Sequence, residues 1–413
     1  MLDAVDAFER LAAVPWRALR AAEVLPVLAR VLSGARAERE IDRFLRDRRS
    51  FDADERAAAV EAIFGVALWR RRLLWQAGRG DPRALLFALL RDLAGAREPE
   101  AAALCDLPPP WPARRPGPER LADRWSLPDF LEAVLVRELG PEADAFAEAI
   151  SVPGPICLRA NTLRTTRREL AARLRDEGIT TVETALAPHG LVVTTTRPNL
   201  LALGSFRAGL FEVQDEGSQL VAALCKPRRG DTVLDACAGA GGKTLALAAE
   251  LCGEGRLVAC DPDAERLQRL AQRARRAGAR VEISSRPPVG LRAAVALVDA
   301  PCSELGILRR GPDARFHIQE GELRAFPPLQ REILEETLPS VRPGGRIVYA
   351  TCTIRSEENE EVAVRFERDH PELVREAAGE GPDGFFRTYP HREGTDAFFA
   401  ARWIVSGGSD AAR

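Results

Sequence analysis

The stretch from Asp231 to Leu247, DTVLDACAGAGGKTLAL, constrains this chain more than any other. Val233 and Leu234 are apolar and flanked by turn residues, which predicts a short strand. Asp235, Ala236 and Cys237 lead into a loop holding Gly239, Gly241 and Gly242. From Lys243 the apolar spacing turns helical. Strand, glycine loop and helix form the first half of a βαβ unit. Glycines there let the backbone approach a ligand, and the helix N-terminus offers unpaired N–H groups.

Spacing separates the ligands such a loop could hold. A phosphate-cradling loop needs its first glycine at position 237, which is Cys. A dinucleotide loop needs its third glycine at 244, which is Thr. An adenosine cofactor without a pyrophosphate remains. A tight turn without ligand is the plain alternative, but it does not need three glycines in four positions.

The following chain, from 214, alternates in the same way. Strands are predicted near 232–236, 256–261, 281–284, 294–299, 346–351 and 397–405. Helices are predicted near 243–251, 264–277, 322–338 and 356–369. This alternation implies an α/β fold with a doubly wound parallel sheet. Asp261 ends the second strand, where a carboxylate commonly holds ribose hydroxyls; capping a helix is its other reading. Cys302 and Cys352 stand just beyond two strand ends, the place where open α/β sheets bind ligands. If the strands ending at 235, 299 and 351 are neighbours, Cys302, Cys352 and Asp299 face one pocket beside the glycine loop. A single cysteine there reads as a small buried hydrophobe; two with an Asp suggest chemistry.

Residues 1–150 read as helical, with a capping box at Asp52 and Glu55, and with Trp69 and Trp75 assigned to the core. Pro108 to Pro118, PPPWPARRPGP, reads as a linker. Residues 151–213 read as a small α+β module carrying Arg159, Arg164, Arg167, Arg168, Arg173 and Arg175. A solvated helix face and a phosphate-contacting surface fit these arginines equally well. Residues 214–413 form the third expected domain.

The net charge of −2 means that any nucleic-acid surface must be local. Lys226 and Lys243 are the only lysines among 59 Lys and Arg residues, so each invites a specific role. The eight cysteines lack CxxC spacing, which points away from zinc and disulfides and toward a reducing cytoplasm. The N-terminus has no signal-peptide pattern and no stretch has the length of a membrane span.

Three motifs together, Asp235-Ala-Cys-Ala-Gly-Ala-Gly-Gly-Lys-Thr244, Asp299-Ala-Pro-Cys-Ser303 and Tyr349-Ala-Thr-Cys-Thr353 followed by Glu357-Glu-Asn-Glu360, closely resemble the Sun-type (NOL/NOP/Sun) RNA cytosine carbon-5 methyltransferases. Arg159-Ala-Asn161-Thr162, Gln214 to Ser218, Leu308 to Arg315 and Gly394 to Phe399 support the match, which covers roughly 152 to 405. The helical start resembles the NusB-like RNA-binding domain of the bacterial 16S rRNA members.

The resemblance implies a Rossmann-like methyltransferase sheet and S-adenosyl-L-methionine as cofactor. It implies that Cys237, Ala238, Gly239, Ala240, Gly241, Gly242, Lys243, Asp261 and Asp299 surround that cofactor. It makes Cys352 the nucleophile at carbon-6 of cytosine. Asp299 would lie near ring nitrogen-3, Cys302 would assist proton loss and release, and Lys243 would tune a thiol or orient Asp299. Arg159, Asn161, Arg167, Arg168, Arg309 and Arg315 are the expected RNA contacts. The expected partner is RNA, first of all 16S rRNA, for a cytoplasmic monomer without metal. The target base is expected to leave its stack.

The sequence departs from the pattern at Glu304, where a Gly is usual, at Ser284 and Ser285, where an adenine-binding Asp is usual, and at Ala397. Competing readings are the same chemistry on tRNA and a catalytically weak RNA-binding ribosome-assembly factor. DNA cytosine methylation fits less well, because those enzymes share the Pro-Cys but not the Thr-Cys motif.

Overall fold

The computed structural model describes residues 7–195, 198–311 and 313–406. Parts of four expectations therefore lie outside the described residues: the first six residues of the helical start, residues 196 and 197 of the expected 151–213 module, Pro312 of the 308–315 motif, and the last seven residues of the expected 214–413 domain. The chain divides into two compact units, Met1–Pro153 with Leu308–Glu322, and Gly154–Ile307 with Leu323–Arg413.

The first unit is helical. Its central helix, Ala53–Ala77, starts at the expected capping box: Asp52 accepts from the Glu55 N–H at 2.8 Å, and Glu55 accepts from the Asp52 N–H at 3.0 Å. That pair satisfies two of the helix's orphan donors. The helix ends at Gly78, whose φ of +68° suits a residue without Cβ. Ala57, Ala58, Ala59, Ala62 and Ile63, then Val66, Ala67, Leu68 and Trp69 in unbroken succession, are buried on all sides, so this helix is the core of its unit rather than an amphipathic surface element. Trp75 departs from the expectation. It is 40 % exposed, and its indole N–H reaches the Pro116 carbonyl at 3.2 Å. The proline-rich stretch is non-helical as predicted, yet it is tied to the unit: Trp111 donates to Leu107, and Arg91 donates to the Pro112 carbonyl.

The second unit holds two sheets. The smaller has order β2-β3-β1-β4, from β1 (Cys157–Ala160), β2 (Thr181–Glu183), β3 (Gly190–Val193) and β4 (Phe211–Val213), all antiparallel. Leu170 and Leu174 of the helix Arg167–Asp176 pack on Leu158, Leu191 and Phe211.

The larger sheet contains β5 (Thr232–Asp235), β6 (Arg256–Cys260), β7 (Glu282–Ser284), β8 (Ala293–Asp299), β9 (Val341–Thr351), β10 (Leu373–Arg375), β11 (Phe386–Thr388) and β12 (Phe398–Val405). Its order is β10-β12-β9-β8-β5-β6-β7, with β11 added beside β12. The pairings from β7 to β9 are parallel, and those of β12 are antiparallel. The expected doubly wound α/β fold is therefore present, but the sheet is mixed rather than parallel throughout, because the strand expected near 397–405 runs antiparallel to β9. β10 and β11 were not predicted: each is three residues long, and unlike the equally short β7 neither is announced by the strand–helix alternation of the parallel part. β8 is buried from Ala293 through Val298, as a central strand covered on both faces must be. Apolar layers close both faces, one around Leu334, Val362 and Phe366, the other around Val221, Leu247 and Leu251.

This order makes β5, β8 and β9 neighbours. Their carboxyl ends, at 235, 299 and 351, lie side by side, about 4.8 Å per strand.

Candidate functional site

The glycine loop begins where β5 stops. Gly239 and Gly241 have φ of +52° and +90°, the left-handed region that an L side chain enters at a cost. At Gly241 a Cβ would also meet Leu270 at 2.8 Å. Gly241 caps the helix Gly242–Glu250, and Ala238 donates its N–H to the Cys260 carbonyl at 2.8 Å. Asp261, at the end of β6, is buried and braces the loop: it accepts from the Gly239 N–H at 3.0 Å and the Asp263 N–H at 2.8 Å. The residue that caps the helix Ala264–Ala277 is Asp263, not Asp261. On the third strand, Ser284 uses its hydroxyl locally, donating to the Arg286 carbonyl at 2.7 Å.

Lys243 lies one residue into the helix and is largely buried. Its Nζ donates to Asp299 Oδ2 at 2.8 Å and sits 4.9 Å from the centre of the Phe398 ring. Burial pulls the ammonium pKa down, but the Asp299 charge and hydrogen bond more than reverse this, so it stays protonated. Asp299 comes from the end of β8.

Cys302 and Cys352 follow β8 and β9, which pair in register at Asp299 and Ala350. Their Sγ atoms are 3.4 Å apart, and the Cys352 N–H points to Cys302 Sγ at 3.4 Å. The Cys352 thiol is pushed up from its ordinary range, first by the hydrogen bond with Cys302, then by burial and by the negative charges of Asp299 and Glu304. Glu304 adopts φ of +58°. Such a residue carries backbone strain that a glycine would not. Gly306 seats this loop on β9: it donates to the Cys352 carbonyl at 3.0 Å, and a Cβ there would meet Ala397 O at 2.4 Å.

Sequence reasoning passed over several neighbours. Asp235 is buried at the end of β5, with Thr244 donating to its Oδ2 at 2.6 Å and no hydrogen-bond partner for Oδ1 among the described residues. Burial pushes its carboxyl up to about 7, against the Thr244 bond. Phe398 floors Lys243, and Glu358 lies buried beside the cysteine loops. All three lie inside motifs quoted above, Asp235 to Thr244, Glu357 to Glu360 and Gly394 to Phe399, but nothing in the sequence assigned them an individual role.

The expected RNA contacts need correction. Arg159 is buried in the small sheet, where its Nε donates to Gln214 at 2.7 Å and burial pulls its pKa down to about 10. Asn161 is buried and donates to the carbonyls of Gly209 at 2.7 Å and Ala277 at 2.8 Å. Arg315 is wholly buried in the helical unit. Its guanidinium donates to Trp125 O at 2.9 Å, Ile150 O at 2.8 Å and Ser151 Oγ at 3.3 Å. Their burial, with these donors committed inside the chain, argues against a phosphate contact at these positions. Arg309 is buried as well. Arg167 is half-buried and pairs with Glu183 at 2.7 Å, which leaves Arg168 as the exposed member of the expected set.

Among the described residues no group of His, Cys, Asp and Glu is arranged to hold a metal ion, and no helix is long and apolar enough to cross a membrane.

Residues 222–404 match the family model described as 16S rRNA methyltransferase RsmB/F, and residues 127–198 match the ferredoxin-like domain of RsmF/B-like methyltransferases. Ribosomal RNA small subunit methyltransferase B of Xylella fastidiosa is 32% identical over 390 residues, 84% of this chain and 91% of that protein. The probable ribosomal RNA small subunit methyltransferase B of Synechocystis is 32% identical over 300 residues, 68% of this chain and 67% of that protein. Among solved structures, that of PH0851 superposes with a TM-score of 0.77 at 23% identity, over 92% of this chain and 98% of that one, which places the fold.

Proposed function

The chain belongs to the 16S rRNA methyltransferase RsmB/F family, and from that premise we propose that it methylates carbon-5 of a cytosine in small-subunit rRNA through a covalent bond from Cys352 to carbon-6. The observation that carries this reading is the pair of thiols 3.4 Å apart, beside the Lys243–Asp299 ion pair.

Carbon-5 of cytosine is a poor nucleophile. Addition of the Cys352 sulfur at carbon-6 makes it enamine-like and able to take a methyl group. Negative charge develops toward ring nitrogen-3 as the sulfur adds; the Lys243–Asp299 pair, 2.8 Å across, would lie there, with the ammonium as the group that offsets that charge. Cys302, in contact with Cys352, would assist loss of the carbon-5 proton; the electron pair then restores the 5,6 double bond and expels the Cys352 thiolate.

S-adenosyl-L-methionine, when bound, supplies an electrophilic methyl group. The backbone fits it: two left-handed glycines open the loop, and the helix N-terminus and the buried Asp261 carboxylate border it. Residues 237–243, Asp261 and Asp299 would hold it. Arg167 and Arg168 are the members of the arginine set that remain proposed RNA contacts.

The test is methylation with labelled cofactor, offering small-subunit rRNA and tRNA separately, followed by mapping of the base. Label at carbon-5 of an rRNA cytosine is expected; label in tRNA alone would overturn the substrate. Cys352→Ala is expected to abolish methylation and form no adduct. Cys302→Ala is expected to transfer methyl but release poorly, leaving a protein–RNA adduct in denaturing gels at about one methyl per enzyme. The reverse pattern would move the nucleophile to Cys302.

A further inference from the structure

The motif that follows the second cysteine, Glu357-Glu-Asn-Glu360, has no part in the chemistry above. Glu358 is nonetheless wholly buried, where a carboxylate persists only if its oxygens are fully engaged. They are. Oε2 accepts from the Ser303 N–H at 2.9 Å and from Gln330 Nε2 at 3.1 Å, and Oε1 accepts from Arg355 Nη1 at 2.9 Å.

These partners fall in an instructive place. Ser303 follows Cys302, while Glu358 belongs to the turn that follows Cys352. Gln330 also donates to the Pro301 carbonyl at 3.0 Å, so the Pro-Cys loop is gripped on both sides of its cysteine. A second tie runs the same way: the hydroxyls of Ser303 and Thr353, each next to a cysteine, are 2.7 Å apart. Asn359 completes the turn by donating to the Thr353 carbonyl at 3.0 Å, and the Tyr349 hydroxyl donates to the Glu358 carbonyl at 2.5 Å. The two loops come from different strands, and nothing in strand pairing alone fixes how far their tips stand apart.

We propose that Glu358 is a positioning residue that holds the Pro-Cys loop against the Thr-Cys loop and so sets the 3.4 Å separation of the two thiols. Only a carboxylate suits this place. Three N–H donors converge on it, and an amide would turn N–H groups of its own toward one of them. An Asp would be one methylene too short to reach. The proposal rests on the reading of Cys302 and Cys352 as partners in one reaction for its catalytic consequence, though not for its geometry.

Two readouts test it in the full-length chain. The first needs no RNA. Diamide takes the two thiol hydrogens, becomes the hydrazine and leaves a Cys302–Cys352 disulfide, whose formation rate is followed by peptide mass spectrometry. In Glu358→Gln that rate is expected to fall about tenfold or more, since a displacement near 1 Å is enough to cost such factors. The second readout compares steps. Adduct formation in a Cys302→Ala background needs Cys352 alone and is expected to stay within about threefold when Glu358→Gln is added, whereas turnover of the two-thiol enzyme falls about 10- to 100-fold and adduct accumulates.

An unchanged disulfide rate in folded Glu358→Gln would overturn the proposal. So would an equal loss of adduct formation and turnover, which is what a merely structural role predicts. If Glu358→Gln does not fold by circular dichroism, Gln330→Leu removes the bridge from Glu358 to the Pro301 carbonyl and is read in the same two ways, with the same outcomes deciding. If no adduct forms with Glu358 intact, the reading of the reaction fails, and the disulfide rate still decides the positioning role.

Discussion

Arg315 in the helical unit and Lys243 at the strand ends of the sheet unit are both cations withdrawn from water, and they are satisfied by different kinds of partner. Arg315 gives its N–H groups to main-chain carbonyls, at Trp125 and Ile150. Burial lowers its pKa to about 9, with no carboxylate opposing the shift. Lys243 donates a hydrogen bond to a side chain, Asp299, whose charge holds the ammonium pKa up against burial. Asp299 remains 27 % exposed on its side chain, so it can still meet a ligand. A charge closed off by backbone carbonyls and wholly buried locks a fold and meets no ligand. A charge paired with an ionisable side chain at strand ends retains capacity for chemistry. Burial of a charge is therefore not by itself a sign of function; the partner decides.

Substitution of each cation should separate the two roles. Lys243→Met is expected to lower methylation by about 100-fold or more, because charge developing near Asp299 loses its counter-ion. The fold should change little, since Asp299 can reach solvent. Arg315→Leu is expected to do the opposite. It strands two buried carbonyls and should destabilise the chain by about 2–4 kcal/mol, read as a lower denaturation midpoint. Methylation per folded molecule should stay unchanged. Equal stability losses with equal activity losses would erase the distinction.

A smaller effect sharpens the electrostatics of the site. The Cys352 thiol is held above its ordinary range, first by its bond with Cys302. The thiolate is the nucleophile. Adduct formation should therefore climb with pH, about tenfold per unit, across the neutral range without a plateau. In Cys302→Ala the largest cause of the shift is gone, and the climb should level off at lower pH. Superimposable profiles for the two proteins would refute the coupling.

The smallest effect belongs to Asp235. Its folded carboxyl is raised to about 7 by burial, above the value of an unfolded chain. Below about pH 4 both states hold the proton and nothing is lost. Between there and about pH 7 only the unfolded state releases it, so stability falls as pH rises and stays low above. Asp235→Asn should remove that fall, raising the melting temperature at pH 8 by a few °C relative to pH 5 behaviour. A melting curve with the wild-type pH dependence would show that Asp235 is ionised at no cost.

The sequence carried the order of the parts. Apolar periodicity placed the parallel strands β5 to β9 and the helices between them, because a βαβ unit is written in local spacing. The capping box at Asp52 and Glu55 was equally legible, being a contact between residues three apart. The three motifs pointed to the strand ends, and strand order then made those ends neighbours. What the sequence could not decide was exposure. Arg159, Asn161 and Arg315 read as basic or polar surface, yet each is buried by partners between 48 and 190 residues away. Glu358 stood in the motif after Cys352 without a role of its own, and its meaning came from Ser303, 55 residues earlier. Backbone conformation follows from neighbours in the chain, so a sequence displays it. Which charges meet water, and how closely two thiols approach, depends on contacts between distant segments, and only the folded chain fixes those.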